Sequence, residues 1–373
     1  MEQQTLTSYL KLLACEGIGV YNARKLLDVF KDVEAVFNPD KWHLFDQFDV
    51  NASIQQIIKH FDKDDLVKKE IEFINDNDIK WVGILDEEYP KILKECADAP
   101  IVLFYKGDLS VLKNKNLAVV GTRKMSDYGK EMVKELIEHL QPYNPTIVSG
   151  MAYGVDIAAY KEARKRSLPM VGVMGTSFTK LYPSIHKKAY FDLFENGLIL
   201  TEYASFNILV PELFTRRNRI IAGLCAATVV VESAEKGGSL STAYFASDYG
   251  REVFALPGKI TDVYSKGCLR LIHDNRAQLL YNFNHLIDDL GWNTTTEPTK
   301  ETVVQKEINL NDFSILQQTI LKSLQNEPLH IDELSLQTSI DMSVLNAELM
   351  MLELEGIVDG LPGKIFKLKY NAN

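Results

Sequence analysis

The segment Leu117-Ala-Val-Val-Gly-Thr-Arg123 joins a short apolar run to a glycine and an arginine. Short apolar runs of this kind are typical of strands that are buried on both faces of a sheet. Similar runs recur along the chain and alternate with helical stretches. The alternation predicts an α/β fold with a Rossmann-like open parallel sheet, whose ligand lies outside the carboxyl ends of the strands.

Six strands and five helices are predicted in this central part of the chain. The strands are Leu117–Val120, Thr146–Val148, Met170–Met174, Leu198–Leu200, Ala227–Val231 and Glu252–Ala255. The helices are Lys130–Leu140, Asp156–Lys165, Lys187–Glu195, Arg216–Leu224 and Ser241–Tyr249. An apolar run before them, Ile101–Tyr105, is predicted to be a further strand.

Two smaller domains are predicted to flank the sheet. The first hundred residues have apolar residues at helical spacing, and Gly17-Ile18-Gly19 stands between two of these helices, as in helix-hairpin-helix or SAM-like domains. The glycines could bind phosphate, but the lack of nearby basic residues favours a packing turn. After a polar linker, three helices and a two-stranded wing predict a winged helix. The predicted boundaries are 1–100 (helical), 101–290 (Rossmann-like), 291–311 (linker) and 312–373 (winged helix).

Positive charge is concentrated in the middle of the chain, although the net charge of the whole is −10. Residues 113–290 contain 22 Lys and Arg against 18 Asp and Glu. Residues 1–112 contain 13 against 21, and residues 291–373 contain 6 against 12. The alternative is that surface charge varies between domains without any bound polyanion, which would give similar counts of charged residues. The distribution nevertheless favours a polyanion on the central segment and disfavours one on both flanks.

Several classes of protein are not indicated by the sequence. No apolar run is long enough to span a membrane and no signal peptide is recognisable, which predicts a cytoplasmic protein. The four cysteines are far apart, without a CxxC pair, and are predicted to be buried apolar side chains rather than zinc ligands or disulfides. No catalytic motif is evident. The sequence therefore predicts a binding protein without catalytic residues, metal or cofactor.

Two predicted loops at the strand ends combine glycines with anion-binding groups. In Gly121-Thr122-Arg123, the glycine lets the backbone approach a phosphate and the arginine can donate to it in a bidentate manner. The loop Ser149–Asp156 is rich in small residues and opens a helix, where backbone amides favour an anion. A tight turn that needs glycine only for its geometry explains the second loop equally well.

Two further segments strengthen the prediction of a phosphate site. Phe214–Gly223 contains three arginines near a predicted helix start beside a phenylalanine, which suits phosphates and a stacked base. A solvated basic face is the alternative. Glu232–Thr242 has paired glycines and hydroxyls before another helix, which is typical of an anion cradle. The turn from Gly175 to His186 could offer an aromatic face, and its lone histidine is predicted to be structural.

In this order the motifs resemble those of the DNA-processing protein A family, also called Smf. Its Gly-Ser/Thr-Arg motif matches Gly121–Arg123, and its Ser-Gly-x-Ala-x-Gly-x-Asp loop matches Ser149–Asp156. Its Phe-x-x-Arg-Asn-Arg-Ile-Ile-Ala-Gly helix matches Phe214–Gly223, and its Gly-Ser-Leu-x-Thr-Ala turn matches Gly238–Ala243. The late Ser-x-Gly-x-Asn-x-Leu-Ile motif departs from the family at Leu269, where asparagine is usual.

The resemblance implies a recombination mediator that binds single-stranded DNA and loads the RecA recombinase onto it, in DNA processing and natural transformation. It also implies a homodimer formed through the Rossmann-like domain. From the motifs and the resemblance together, the residues predicted to contact DNA are Gly121, Thr122, Arg123, Ser149, Gly150, Lys188, Phe214, Arg216, Arg217, Asn218, Arg219, Lys236, Gly237, Gly238 and Ser239.

Two alternatives place the function elsewhere. The lysine-decarboxylase-like phosphoribohydrolases share the fold class, but here Tyr244 and Phe245 stand where their carboxylate would be sought. The winged helix could read duplex DNA, but residues 312–370 contain only 4 Lys and Arg against 9 Asp and Glu. Its would-be recognition helix, Ser343–Glu353, has no arginine to read bases, so packing or a protein partner is favoured.

Overall fold

The structure is a computed structural model that describes residues 2–293, 313–324, 328–355, 357–361 and 365–368. It divides into two compact units, Met1–Thr294 and Thr295–Asn373. Most of the predicted linker 291–311 and the centre of the predicted wing turn, residues 362–364, lie outside the described residues.

Short helices form the beginning of the first unit. They are α1 (Glu2–Ala14), α2 (Val20–Phe30), α3 (Val33–Val36), α4 (His43–Gln47), α5 (Ala52–Lys59), α6 (Asp64–Asp76) and α7 (Lys91–Lys94). The turn between α1 and α2 is made by the predicted glycine pair, and Gly17 has φ of +90°, a conformation that favours glycine. The helical character predicted for this region is thus confirmed.

The first unit continues with the strands and the remaining helices. The strands are β1 (Lys80–Gly83), β2 (Val102–Gly107), β3 (Asn116–Val120), β4 (Thr146–Ser149), β5 (Met170–Val173), β6 (Leu198–Thr201), β7 (Ala227–Val230), β8 (Glu252–Ala255) and β9 (Gln278–Leu279). The helices are α8 (Asp127–Leu140), α9 (Val155–Lys165), α10 (Lys187–Asn196), α11 (Glu212–Gly223), α12 (Ser239–Asp248), α13 (Lys266–His273) and α14 (Phe283–Asp289).

The described strands of this unit form one sheet in the order β1-β2-β6-β5-β4-β3-β7-β8-β9. Neighbours from β6 to β9 pair in parallel, which confirms the predicted open parallel sheet. β2 pairs antiparallel with both β6 and β1, so the sheet already begins at Lys80 rather than after residue 100. The sequence analysis placed no strand at β1, which lies in a stretch rich in acidic residues.

Successive side chains along a strand belong to two different hydrophobic cores, one on each face of the sheet. On β3, Ala118 and Val120 belong to one core, and Leu117 and Val119 belong to the other. The first core continues without a break into the N-terminal helices, whose Leu26 is 1% exposed. Successive strand residues point to opposite faces, so a fully apolar strand serves both cores. The buried residues of the N-terminal helices therefore belong to this first core rather than forming a core of their own.

The second unit is a winged helix. Its helices are α15 (Ile315–Ser323), α16 (Ile331–Thr338) and α17 (Met342–Leu354), and its strands are β10 (Leu329–His330), β11 (Val358–Leu361) and β12 (Ile365–Leu368). The strands pair in the order β10-β12-β11. A compact core, with Leu334, Leu345 and Leu352 fully buried, joins the helices to the sheet. The predicted helices and wing strands are present, and β10 adds a third, two-residue strand.

Candidate nucleic-acid interface

A cleft of about 310 Å³ opens at the carboxyl ends of the parallel strands. This is the edge where an open α/β sheet binds its ligands. Three loops and helix α11 line the cleft, and each contains one of the sequence motifs. The lining residues are Val120, Gly121, Thr122, Arg123, Ala152, Asp156, Phe214, Thr215, Arg217, Asn218, Ile221, Gly237, Gly238, Ser239 and Thr242.

Backbone hydrogen bonds hold the loop after β3 in place. The Arg123 side chain in this loop is exposed. The Thr122 amide donates to the Glu232 carbonyl at 2.7 Å, and the Thr122 carbonyl accepts from the Val155 amide at 3.2 Å. A Cβ atom on Gly121 would lie 2.5 Å from Val155 Cγ2. Glycine is thus required where β3 leaves the sheet, and the guanidinium of Arg123 stands at the rim of the cleft.

Glu232, which the sequence did not single out, holds this loop from below. Its carboxylate is buried and accepts from the Ser126 amide at 2.9 Å and from the Ser126 hydroxyl at 2.5 Å. Ser126 in turn caps α8 by accepting from the Gly129 amide at 3.1 Å. An acidic residue directly after a buried strand was the available signal, because an unpaired carboxylate is rarely buried there.

The loop after β4 supports the cleft mainly from inside the protein. Ser149 is fully buried and its hydroxyl donates to the Val119 carbonyl at 3.0 Å, so this predicted contact residue lies beneath the surface. Asp156 is also buried and accepts from the Ala152 amide at 3.2 Å. Burial raises the pKa of Asp156, and the Arg217 guanidinium opposes this effect. Gly154, with φ of +75°, makes the turn into α9.

Arg217 is a buried cation in the wall of the cleft. It is 4% exposed and donates to the carbonyls of Gly150, at 2.9 Å, and Val173, while its Nε donates to Asn218 at 3.1 Å. A Cβ on Gly150 would lie 2.6 Å from the guanidinium, so glycine makes room for it. Arg217 lines the cleft although it is nearly inaccessible, and its charge acts there at low dielectric.

The arginines of α11 face in different directions. The helix begins at Glu212, before the predicted start at Arg216, so the arginines lie beyond its first turn and spread around its axis. Arg216 is exposed. Arg219 is 4% exposed and donates to the Glu202 carboxylate and the Asp98 carbonyl, outside the residues that line the cleft. The structure therefore does not bring Arg219 to the predicted DNA-binding surface.

An aromatic wall adjoins the cleft. A second cavity shares Arg123, Phe214 and Arg217 with it and adds Tyr153 and Tyr182. The ring centroids of Tyr182 and Phe214 are 5.3 Å apart, and Tyr153 and Tyr182 are 42% and 38% exposed. The turn that the sequence suggested as an aromatic face thus lies beside the residues that line the cleft.

The Gly237–Ser239 turn closes the opposite side of the cleft. Asn218 donates to the Gly238 carbonyl at 3.3 Å and to the Ser241 hydroxyl at 2.9 Å, which ties α11 to this turn. α12 begins at Ser239 without a side-chain cap, and the Leu240 amide donates to the Gly237 carbonyl at 3.1 Å. The Ser239 hydroxyl is directed inward and donates to Ser233 at 2.9 Å.

The remaining predicted residues have simpler surroundings. Lys236 is exposed in the loop before α12, and Lys188 is exposed in the first turn of α10, where it lines a separate groove. His186 lies with Nδ1 2.9 Å from the Met151 carbonyl, which agrees with a structural role. All four cysteines are buried and unpaired, as predicted. Within the described residues, no helix is long and apolar enough to cross a membrane.

Taken together, the sheet and the cleft define a Rossmann-like α/β protein that carries a winged-helix unit. Comparison with known proteins identifies its family. The model of the DNA recombination-mediator protein A family matches residues 80–291, and that of the DprA winged helix domain matches residues 309–364. The chain belongs to the DNA recombination-mediator protein A family, which confirms the resemblance found in the sequence.

Three comparisons, one of sequence and two of structure, illustrate the similarity. DNA processing protein DprA of Streptococcus pneumoniae R6 is 41% identical over 192 residues, which cover 52% of this chain and 68% of the relative. The X-ray structure of the Streptococcus pneumoniae protein superimposes with a TM-score of 0.65 at 32% identity, over 76% of this chain and 97% of that one. DNA processing protein A of Helicobacter pylori, whose structure concerns its single-stranded DNA binding mode, gives 0.52 at 29% identity, over 58% and 96%.

Proposed function

We propose that this chain binds single-stranded DNA in the cleft at the carboxyl edge of its sheet and acts without catalysing a reaction. The observation that carries the proposal is the combination of two cations with an exposed aromatic wall. Arg123 stands at the rim and Arg217 is buried in the wall, while Phe214, Tyr153 and Tyr182 adjoin them. Cations hold phosphates, and exposed rings stack on unpaired bases, which a duplex does not offer.

The exposure of the predicted residues supports only some of them as contacts of the strand. Arg123, Arg216 and Lys236 are exposed and can reach phosphates directly. Gly238 is exposed and leaves its backbone accessible, whereas Gly121 lines the cleft at a position where a Cβ would meet Val155. Buried Ser149 and Arg219 shape the protein rather than contact DNA, and Asn218 positions the turn at Gly238. We therefore narrow the proposed contacts to the exposed cations, the glycine turns, Phe214 and the charge of Arg217.

Delivery of the strand to the RecA recombinase, a role in natural transformation, and homodimer formation through the Rossmann-like domain are part of the same proposal. They rest on membership of a recombination-mediator family. RecA loading is measured as faster RecA assembly on DNA already covered by a single-strand-binding protein. Light scattering measures the oligomeric state. We also propose a cytoplasmic location, where such DNA is processed.

A phosphoribohydrolase activity is not favoured. Tyr244 and Phe245, which occupy the positions where that class has its carboxylate, pack against the hydrophobic core instead. The acid in the cleft, Asp156, is buried and held by the Ala152 amide. It therefore supports the loop after β4 and is not positioned as a general acid.

The decisive experiment is a fluorescence titration of labelled oligothymidylate with the full chain and with Arg123→Ala. We expect the variant to bind at least tenfold more weakly, because one exposed phosphate-binding guanidinium is removed. Wild-type binding should also weaken steeply with salt. Unchanged affinity in a folded Arg123→Ala protein would show that the assigned cleft is not the DNA site.

A further inference from the structure

Helix α9 forms a ridge between two grooves outside the cleft. Ile157 and Lys161 lie one turn apart on this helix, about 6 Å along its axis. Both residues line the groove on one side of α9 and also the groove on the other. The two grooves differ in chemistry, since one is basic and the other is aromatic and apolar.

The basic groove, called here the α8–α9 channel, has a volume of about 390 Å³. Its charged lining residues are Arg123, Lys124, Lys130, Lys161, Glu162 and Lys165. Glu162 is the acid among them, and it is already paired with Lys165 and Arg166, each at 2.6 Å. The charges of Lys124, Lys130 and Lys161 are therefore not neutralised by the lining of the channel.

The groove on the other side, called here the α9–α10 groove, has a volume of about 410 Å³ and can accept a flat ring. Its walls include Tyr153, Tyr160 and Ile185, and Ile185 is 74% exposed. The Tyr160 hydroxyl donates to Asp192 at 2.9 Å, which fixes that ring. Lys161, Lys188 and Asp192 also line the groove, and the Asp192 carboxylate is already paired with Arg164 at 2.7 Å. Exposed apolar and aromatic walls bordered by lysines suit a nucleobase attached to a phosphate.

The channel adjoins the cleft, and the α9–α10 groove adjoins the aromatic wall beside it. Arg123 lines the cleft and the α8–α9 channel, and Tyr153 lines the aromatic wall and the α9–α10 groove. We propose that α9 carries the next nucleotides of the same single strand, with phosphates in the α8–α9 channel and bases in the α9–α10 groove. This inference rests on the proposed function. It extends the proposed DNA site from the cleft to the channel and the groove on either side of α9, together called here the track along α9.

The test compares short and long strands bound by the full chain. The probes are oligothymidylates of about four nucleotides, enough for the cleft alone, and about sixteen nucleotides, enough to continue along α9. The variant is Lys130→Gln/Lys161→Gln, and the matched control is Lys113→Gln, an exposed lysine before the opposite, amino end of β3. Thermal melting checks that each protein is folded.

We expect the double variant to bind the long strand about tenfold more weakly while binding the short strand as the wild type does. The slope of log affinity against log salt should become less steep by about 0.7 for each phosphate that the protein no longer neutralises, and only for the long strand. Lys113→Gln should change neither strand. Wild-type affinity of the double variant for the long strand would overturn the proposal, and so would an equal loss for both strands.

The Arg123→Ala variant separates this outcome from failure of the proposed function. If Arg123→Ala loses affinity for both strands and the double variant loses affinity for neither, the cleft holds DNA and the proposed track along α9 is wrong. If Arg123→Ala retains both strands, the assigned cleft itself is wrong. A photoreactive thymidine at successive positions of the long strand should also crosslink to peptides of α9 and α10. Crosslinks that avoid both helices at every position would contradict the track.

Discussion

The Rossmann-like domain and the winged helix both belong to folds that can hold nucleic acid, but their net charges have opposite signs. Residues 113–290 have 22 Lys and Arg against 18 Asp and Glu, whereas residues 312–370 have 4 against 9. The first places exposed cations and glycine turns around a cleft. In the second, α17 has no Lys or Arg, and it exposes Val344, Met350 and Met351. A fold alone thus gives no affinity for DNA, which depends on where exposed charge and open backbone stand.

Within the Rossmann-like domain, the excess of positive charge is not all available to a ligand. Arg216 and Arg219 lie three residues apart on α11, yet one is exposed and the other is 4% exposed. Arg219 is paired with Glu202, which is 8% exposed. A count of cations includes both residues, although only Arg216 can neutralise a phosphate.

The largest effect is therefore expected from Arg219→Met, and it should be on stability. Removing the guanidinium leaves the Glu202 carboxylate buried without its partner, which costs about 3 to 5 kcal/mol in the free energy of unfolding. Urea unfolding followed by tryptophan fluorescence measures this, and Trp42, Trp81 and Trp292 all lie in the first unit. Single-strand affinity of the folded variant should stay within about twofold of the wild type.

Two variants control this measurement. Arg219→Met/Glu202→Gln removes the unpaired charge and should recover part of the lost stability. Arg216→Met should leave the free energy of unfolding within about 0.5 kcal/mol of the wild type but weaken DNA binding several-fold, since the residue is exposed. If a stable Arg219→Met protein lost DNA binding, this arginine would contact DNA as its motif first suggested.

A smaller effect is expected where the backbone, rather than charge, makes the cleft. Gly154 has φ of +75°, and a Cβ there would lie 2.1 Å from the Thr122 carbonyl oxygen. Gly154→Ala should reduce the free energy of unfolding by about 2 to 3 kcal/mol and weaken DNA binding, because the loop carrying Arg123 must shift. Urea unfolding and the oligothymidylate titration measure the two effects.

Gly238→Ala is the matched control for stability. Gly238 has φ of −63°, and no heavy atom lies within 4 Å of a Cβ built on it. Alanine should therefore change the free energy of unfolding by less than about 0.5 kcal/mol. Equal stability of the two alanine variants would show that the turn at Gly154 relaxes without cost, and that the Arg123 loop does not depend on it.

The sequence predicted the cleft better than the roles of its side chains. The apolar strands and glycine motifs placed the loops at the correct edge of the sheet, because a buried strand and the loop that follows it are adjacent in the sequence. Burial is not local. The sequence could not show that Ser149 and Arg219 are directed inward or that Glu232 holds the loop after β3, since each depends on residues distant in the chain. Strand β1 was missed because it lies in a stretch rich in acidic residues and pairs only with β2, at the antiparallel edge of the sheet.

The smallest effect on single-strand affinity is expected from removal of the winged helix. A chain that ends at residue 294 keeps the first compact unit and lacks the winged helix. Its affinity for oligothymidylate should stay within about threefold of the full chain, because the cleft and the channel are complete without residues 295–373. A modest gain at low salt is expected, since residues 291–373 contribute 6 Lys and Arg against 12 Asp and Glu. The gain should vanish at about 0.5 M salt, where repulsion between exposed charges is screened within a few ångströms. A collapse of affinity in the folded, truncated chain would mean that the winged helix contributes to single-strand binding despite its negative charge, and that apolar contacts rather than charge decide which domain holds DNA.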